Sequence, residues 1–160
     1  MPVISPYRTS PLIDGRQSDR AMMVRRGMQR LFAEMRLAVL PELTLASGRR
    51  ADLIALTPKA DIWIIEIKTS IEDFRVDRKW PDYRHFCDRL FFATHSGVPL
   101  EIFPDECGLF LSDGYGADLM RDAPEHRLAP ARRKALTLQF ARAAADRLLA
   151  AELAATLPDI

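Results

Sequence analysis

A chain of 160 residues with 48% hydrophobic and 28% charged side chains has the composition of an ordinary globular protein, with room for one compact domain and a real core. Its formal net charge of +1 excludes a global basic field, so any case for a nucleic-acid partner has to be made locally. The two cysteines, an N-terminus (MPVISPYRTSPLIDGRQ) without the build of a secretory signal, and the lack of any apolar run of membrane-spanning length lead to the expectation of a cytoplasmic protein with reduced thiols and no membrane contact.

Residues 1–16 carry three prolines and one glycine with little periodicity, and read as a flexible or loosely docked arm ahead of a single domain over 17–156. Ser18 or Asp19 is placed to cap a helix. In it Ala21, Val24, Met28, Leu31, Phe32 and Met35 recur at helical spacing, with Arg20, Arg25, Arg26 and Arg30 on the remaining faces. Leu37–Leu40 and Leu43–Ala46, bent at Pro41, predict an edge or bulged first strand. Ser47-Gly48 signals a tight turn, Ala51–Leu56 a second strand, and Thr57–Asp61 a further turn into a third. Glu72–Asp88 predicts a loop and a short helix starting near Pro81. Arg89–Thr94 and Gly108–Ser112 read as further strands. From Ala129 an alanine-rich stretch, with Leu136, Phe140, Ala144 and Leu148 at i, i+4 steps, predicts a long amphipathic helix packed on the domain and fraying before Pro158. Helix, three strands, helix, strands and a long C-terminal helix make a mixed α/β domain.

The third strand, DIWIIEIKTS, places Glu66 and Lys68 directly after apolar residues that promise a dry core. Alternate side chains share a face, so Ile62, Ile64, Glu66 and Lys68 line up, as do Arg50, Asp52, Ile54 and Leu56 on the second strand. Closing the hairpin so that Leu56 faces Ile62 sets Ile54 against Ile64, Asp52 against Glu66 and Arg50 against Lys68. Like charges directly opposite repel, and three physical solutions exist. One carboxyl takes up a proton; Lys68 and Arg50 neutralise the pair in a salt-bridge ladder; or a divalent cation lies between the acids, hard oxygen ligands suiting Mg²⁺.

Asp52, followed at the end of the next strand by Glu66-Ile67-Lys68, resembles the PD-(D/E)xK nuclease signature, and the order of elements matches that superfamily's restriction-endonuclease-like core. More narrowly, Gly48–Asp52 (GRRAD), Glu66–Ser70 (EIKTS), Asp77–Tyr83 (DRKWPDY) and Ala123–Leu128 (APEHRL) resemble the MmcB family of bacterial DNA repair proteins, over about Arg25 to Leu148. The resemblance implies that Asp52, Glu66 and the backbone carbonyl of Ile67 hold Mg²⁺, with Mn²⁺ as a substitute. It also implies that Lys68 positions or deprotonates the attacking water or stabilises the charge growing on the phosphate. Ala51 stands where the nominal motif has proline. Some members add a carboxylate from the first helix, for which Glu34 is the candidate here; the plainer reading of Glu34 is a solvated residue paired with Arg30.

Among the remaining residues, Lys79 is a candidate for phosphate contact and Tyr83 for orienting Lys68 or a nucleotide, against the plainer reading that they cover a core edge. Trp80 reads as core. Arg25, Arg26 and Arg30, with Arg50, are candidates to track a DNA backbone, against a solvated helix face. His85, Cys87, His95 and Cys107 fit no closed zinc pattern, and no Gly-rich phosphate loop is present. The expected function is a Mg²⁺-dependent deoxyribonuclease acting in the bacterial DNA damage response or mutagenesis, with DNA and other repair proteins as partners. Homodimers are common where both strands of a duplex must be cut. The alternative is a non-catalytic DNA-binding or protein-interaction module of a repair complex.

Overall fold

In the computed structural model, which describes residues 18–156, the first helix begins where the Ser18 hydroxyl accepts the Ala21 N–H at 3.2 Å, the N-cap expected from the sequence. The expected arm over 1–16 and the stretch at Pro158 lie outside the described residues. This helix, α1 (Asp19–Glu34), is followed by β1 (Ala38–Thr44), β2 (Arg50–Leu56) and β3 (Ile62–Ile67). Then come α2 (Ile71–Val76), a 3₁₀ helix (Trp80–Phe86), β4 (Arg89–Thr94), β5 (Gly108–Ser112), β6 (Ala117–Arg121) and α3 (Pro130–Thr156).

The six strands form one sheet in the order β1-β2-β3-β4-β5-β6. Pairs β1–β2, β2–β3 and β5–β6 are antiparallel, and β3–β4 and β4–β5 are parallel. Parallel pairing requires a long return connection, and α2 with the 3₁₀ helix supplies it between β3 and β4. As a result the start of β2 and the carboxyl ends of β3 and β4 share one edge of the sheet. In open α/β sheets that edge is where ligands bind.

Both faces are covered. On one, Val24, Met28 and Phe32 of α1 pack against Leu53, Ile65, Phe91 and Phe110. On the other, Tyr83 and Phe86 of the 3₁₀ helix and Leu136 and Phe140 of α3 pack against Ile54, Ile64, Phe92 and Leu109. Gly27 lets α1 lie close on the β5–β6 turn: a Cβ there would stand 1.9 Å from Ser112 Oγ and 2.4 Å from the Gly116 carbonyl oxygen.

Pro41 sits in an edge strand, as its missing N–H demands. The outer carbonyls of that edge are occupied by α3: Gln139 donates to Thr44, and Arg147 to Pro41 and, at 2.9 Å, to Glu42. Three sequence expectations need correction. β6 is absent from them, because ADLMR lacks the β-branched and aromatic residues that signal strands; it forms against the free edge of β5. The one short helix expected between β3 and β4 is two: α2, capped by Ser70, precedes the 3₁₀ helix. And α3 does not pack along its whole length: Leu136 and Phe140 are buried, Ala144 is half-buried, and Leu148 is 62% exposed.

Asp88, 1% exposed between the 3₁₀ helix and β4, ties the far end of the domain together. Its carboxylate accepts from Ile62 N–H (2.8 Å), Leu128 N–H (2.9 Å) and, through both oxygens, from the Arg133 guanidinium of α3 (2.6 and 2.5 Å). Burial would raise this carboxyl, but Arg133 and the two N–H groups outweigh it and hold it below the ordinary carboxylate range. A depressed acid contributes stability that is present above its unfolded value of 3.8 and is lost as pH falls through the folded value. Asp88→Asn therefore should cost about 1.5–3 kcal/mol at pH 7 by removing the charge-assisted hydrogen bonds to Arg133. It should also flatten the acid limb of stability below pH 3.8, checked by urea unfolding across pH.

Candidate active site

The turn between β2 and β3 fixes the register of the site. Thr57 N–H donates to the Asp61 carbonyl and Ala60 N–H to that of Thr57, both at 2.9 Å, while the Thr57 hydroxyl accepts from Asp61 N–H at 3.0 Å. Leu56 then pairs with Ile62, Ile54 with Ile64 and Leu53 with Ile65, the register expected from the sequence. One step further lie Asp52 and Glu66. Here the backbone ladder gives way to side chains: Asp52 Oδ2 accepts from Ile67 N–H at 2.8 Å, and Glu66 Oε1 accepts from Asp52 N–H at 3.1 Å. Each carboxylate thus satisfies a backbone donor on the other strand.

Burial is the larger cost. Glu66 is 4% exposed; burial, and next the charge of Asp52, hold its carboxyl well above the ordinary range. Burial raises Asp52 as well, against the opposing hydrogen bond from Ile67. Two such groups side by side cannot both be anions without a further cation.

The ladder of Lys68 and Arg50 does not form. Lys68 Nζ instead bonds Asp77 Oδ2 at 2.8 Å, while Arg50 Nη2 lies 3.7 Å from Glu42. Burial would lower the Lys68 ammonium, but Asp77 outweighs it and the pair moves apart, Lys68 up and Asp77 down. Lys68 is accordingly a charged ammonium. Asp77 gets there because Phe74 of α2 packs edge-on against Phe92 (5.5 Å) and Phe103 (5.3 Å), and Trp80 also packs edge-on against Phe92. At the start of α2, Ser70 accepts from Asp73 N–H and Asp73 from Thr69 N–H, both at 3.0 Å.

These groups line a polar cleft of about 560 Å³. Asp52, Glu66, Ile67, Lys68 and Thr69 line it together with Asp73, Asp77 and Tyr83, Arg49 and Arg50, and the first turn of α1 at Ser18 and Ala21. Tyr83 is buried, and its hydroxyl donates to the Arg50 carbonyl at 3.0 Å. It braces the start of β2 instead of orienting Lys68. Arg49 Nε meets Asp82 at 3.2 Å.

Of the expected residues, Asp52, Glu66, Ile67, Lys68, Arg50 and Tyr83 come together. Glu34 does not. It precedes Ala38 by four residues, and Ala38 pairs with Leu56, about 13 Å along β2 from Asp52. Arg25 is 2% exposed beneath β1, near Glu42 and Arg147, so it cannot meet a DNA backbone. Arg26 and Arg30 are exposed on α1 outside the cleft lining, the Arg30 guanidinium lying 5.8 Å from the Tyr115 ring centre. Lys79 is exposed beyond Asp77, also outside the lining. Sequence reasoning missed Asp77, Asp73, Arg49 and Thr69. Asp77 stands at the head of the Asp77–Tyr83 segment, but nine residues from Lys68 no periodicity pairs them.

Two hard carboxylates and a backbone carbonyl suit Mg²⁺, which takes one or two carboxylates and completes its shell with water and substrate phosphate. Among the described residues there is no cluster of three or more His, Cys, Asp or Glu able to hold a metal, and Cys87 and Cys107 are buried free thiols.

The family model of MmcB-like DNA repair proteins matches residues 8–155. This chain belongs to the MmcB-like DNA repair protein family. The MmcB-like chain is also similar to a solved structure, the SPO1766 protein of unknown function from Silicibacter pomeroyi, with 39% identity, a TM-score of 0.83, and coverage of 90% of this chain and 99% of that one. None of the curated proteins matches it. Among the described residues no helix is long and apolar enough to cross a membrane.

The raised acid yields a prediction with a definite sign. A carboxyl raised in the folded state carries no penalty below its unfolded value, and a growing one as pH rises from there toward the folded value. Without divalent cations, Glu66→Gln should therefore raise Tm at pH 7.5, by roughly 2–4 °C for each kcal/mol of penalty removed, and the gap should close near pH 4. Calorimetry in EDTA checks it; a Tm lowered at pH 7.5 would mean that the acid pair is self-sufficient.

Proposed function

We propose that this MmcB-like protein is a deoxyribonuclease whose metal site is formed by Asp52, Glu66 and the Ile67 carbonyl. The observation that carries the reading is the pair of adjacent carboxylates, half-buried Asp52 and buried Glu66, lining a polar cleft beside an ammonium already neutralised by Asp77. The order of helix, antiparallel hairpins and helix-linked parallel strands supports the likeness to restriction-endonuclease-like cores. Mg²⁺, when bound, supplies a Lewis acid for the phosphoryl oxygen and hydroxide near neutral pH.

The chain's own residues do the rest. Water attacks phosphorus and gives up one proton to solvent, one P–O ester bond breaks, and the leaving oxygen takes a proton from solvent. The Lys68 ammonium, kept charged by Asp77, stabilises the negative charge growing on the phosphate and is a poor base. Arg49, Arg50 and the N-terminal turn of α1, all in the cleft lining, favour an anionic strand there. Tyr83 holds the β2 start, and with it Asp52, in place.

The test is cleavage of nicked, branched and single-stranded DNA with Mg²⁺ or Mn²⁺. Asp52→Ala and Glu66→Ala should each lower the rate by about 10³-fold or more, and Asp77→Asn should slow cleavage while DNA binding in Ca²⁺ stays unchanged. Turnover that survives both alanine variants would overturn the assignment.

A second reading has its own support. Each acid already caps a strand donor and Lys68 already has a counter-ion, an arrangement that also suits a non-catalytic DNA-binding module of a repair complex. DNA binding indifferent to Mg²⁺, with no turnover, would favour it.

A further inference from the structure

α3 runs for 27 residues, about 40 Å, yet only Leu136 and Phe140 of it are buried. The face turned away from the sheet carries an apolar ridge among its charges Lys134, Arg142 and Glu152. At 100° per residue, Leu138, Ala145 and Leu149 fall on one line roughly opposite Leu136 and Phe140, with Ala141 and Leu148 on one shoulder and Leu153 on the other. Leu138, Leu148, Leu149 and Leu153 are 60%, 62%, 55% and 49% exposed. Four large apolar side chains half exposed along one ridge mark a surface suited to contact with a partner.

The two halves of this ridge differ. Beside the first half lies an apolar groove of about 840 Å³ formed with Leu128, Pro130, Leu138 and Ala141; Arg127 and Lys134 stand along it, while Arg133 is bound to Asp88. The second half protrudes, with exposed Asp146 and Glu152 beside Leu148, Leu149 and Leu153. A depression bearing cations and a protrusion bearing carboxylates complement each other, but on one rigid helix they cannot meet within a chain. They meet when a second copy lies antiparallel.

We infer that this chain forms an isologous dimer through α3, the helices antiparallel and the two-fold axis beside Ala145. In that register Ala141 faces Leu149 of the second copy, and Leu138 reaches the turn between Leu149 and Leu153. Lys134 comes within a turn of Glu152, and Arg142 comes alongside Asp146. The small side chain of Ala145 at the crossing permits an interaxial approach near the short end of the usual 8–10 Å. The inference is independent of the chemistry at Asp52 and Glu66.

Sedimentation velocity on the full chain up to about 100 µM tests it. The expected result is a dimer. Ala145→Glu, at an exposed position, should give a folded monomer whose melting temperature no longer rises with protein concentration. Lys134→Glu and Glu152→Lys should each weaken association about tenfold or more, and the double variant should restore it. Ala145→Cys should cross-link on mild oxidation, since Cys87 and Cys107 are buried. A monomer at the highest concentration overturns the inference. So does a dimer that Ala145→Glu leaves intact and Ala145→Cys does not link.

Discussion

A strand's period of two, applied across one tightly specified turn, forces Asp52 and Glu66 into a common site. The Thr57–Asp61 turn, closed by its own hydrogen bonds, seats Leu56 against Ile62, and every later pairing is set by that one. A slip of one residue would turn Ile54 and Ile64 away from their core and separate the acids. The apolar stripe therefore holds the polar site in register, and the hydrophobic core and the chemistry share one constraint.

The two ends of β3 show opposite uses of a buried carboxylate. At its start, Asp88 has both oxygens filled by Arg133 and by two backbone N–H groups, and its carboxyl is held low. That end is closed; it fastens β3, β4 and α3 together. At its finish, Asp52 and Glu66 face each other with too few donors, and Glu66 is held high. A site under that electrostatic tension is suited to a cation in a way that Asp88 is not. The satisfied carboxylate lies at one end of the strand and the under-satisfied pair at the other.

Much of the hairpin and its acids was legible in advance because they are near in sequence. Ser18 as a cap, Pro41 on an edge, the β4 and β5 spans and the Asp52–Glu66 juxtaposition all rest on local rules of capping, alternation and turn length. Lys68 was visible as a residue but not by its partner, since Asp77 reaches it only after Phe74 has docked on Phe92 and Phe103. The arginines of α1 misled for a related reason. Helical spacing says that Arg25 and Arg26 differ in direction, but only the packing of α1 under β1 decides that Arg25 is the buried one.

The amino-acid sequence alone determined the strands of the central hairpin, the pairing of its acids and, through four short segments, membership of a DNA repair family. Tertiary structure decided which cation answers which anion, sent Glu34 to the far end of the sheet, added β6 against an open edge and let α3 run past the domain. The division reflects the range of the forces: backbone periodicity is written within a few residues, whereas the company a buried charge keeps depends on which distant elements the core brings together.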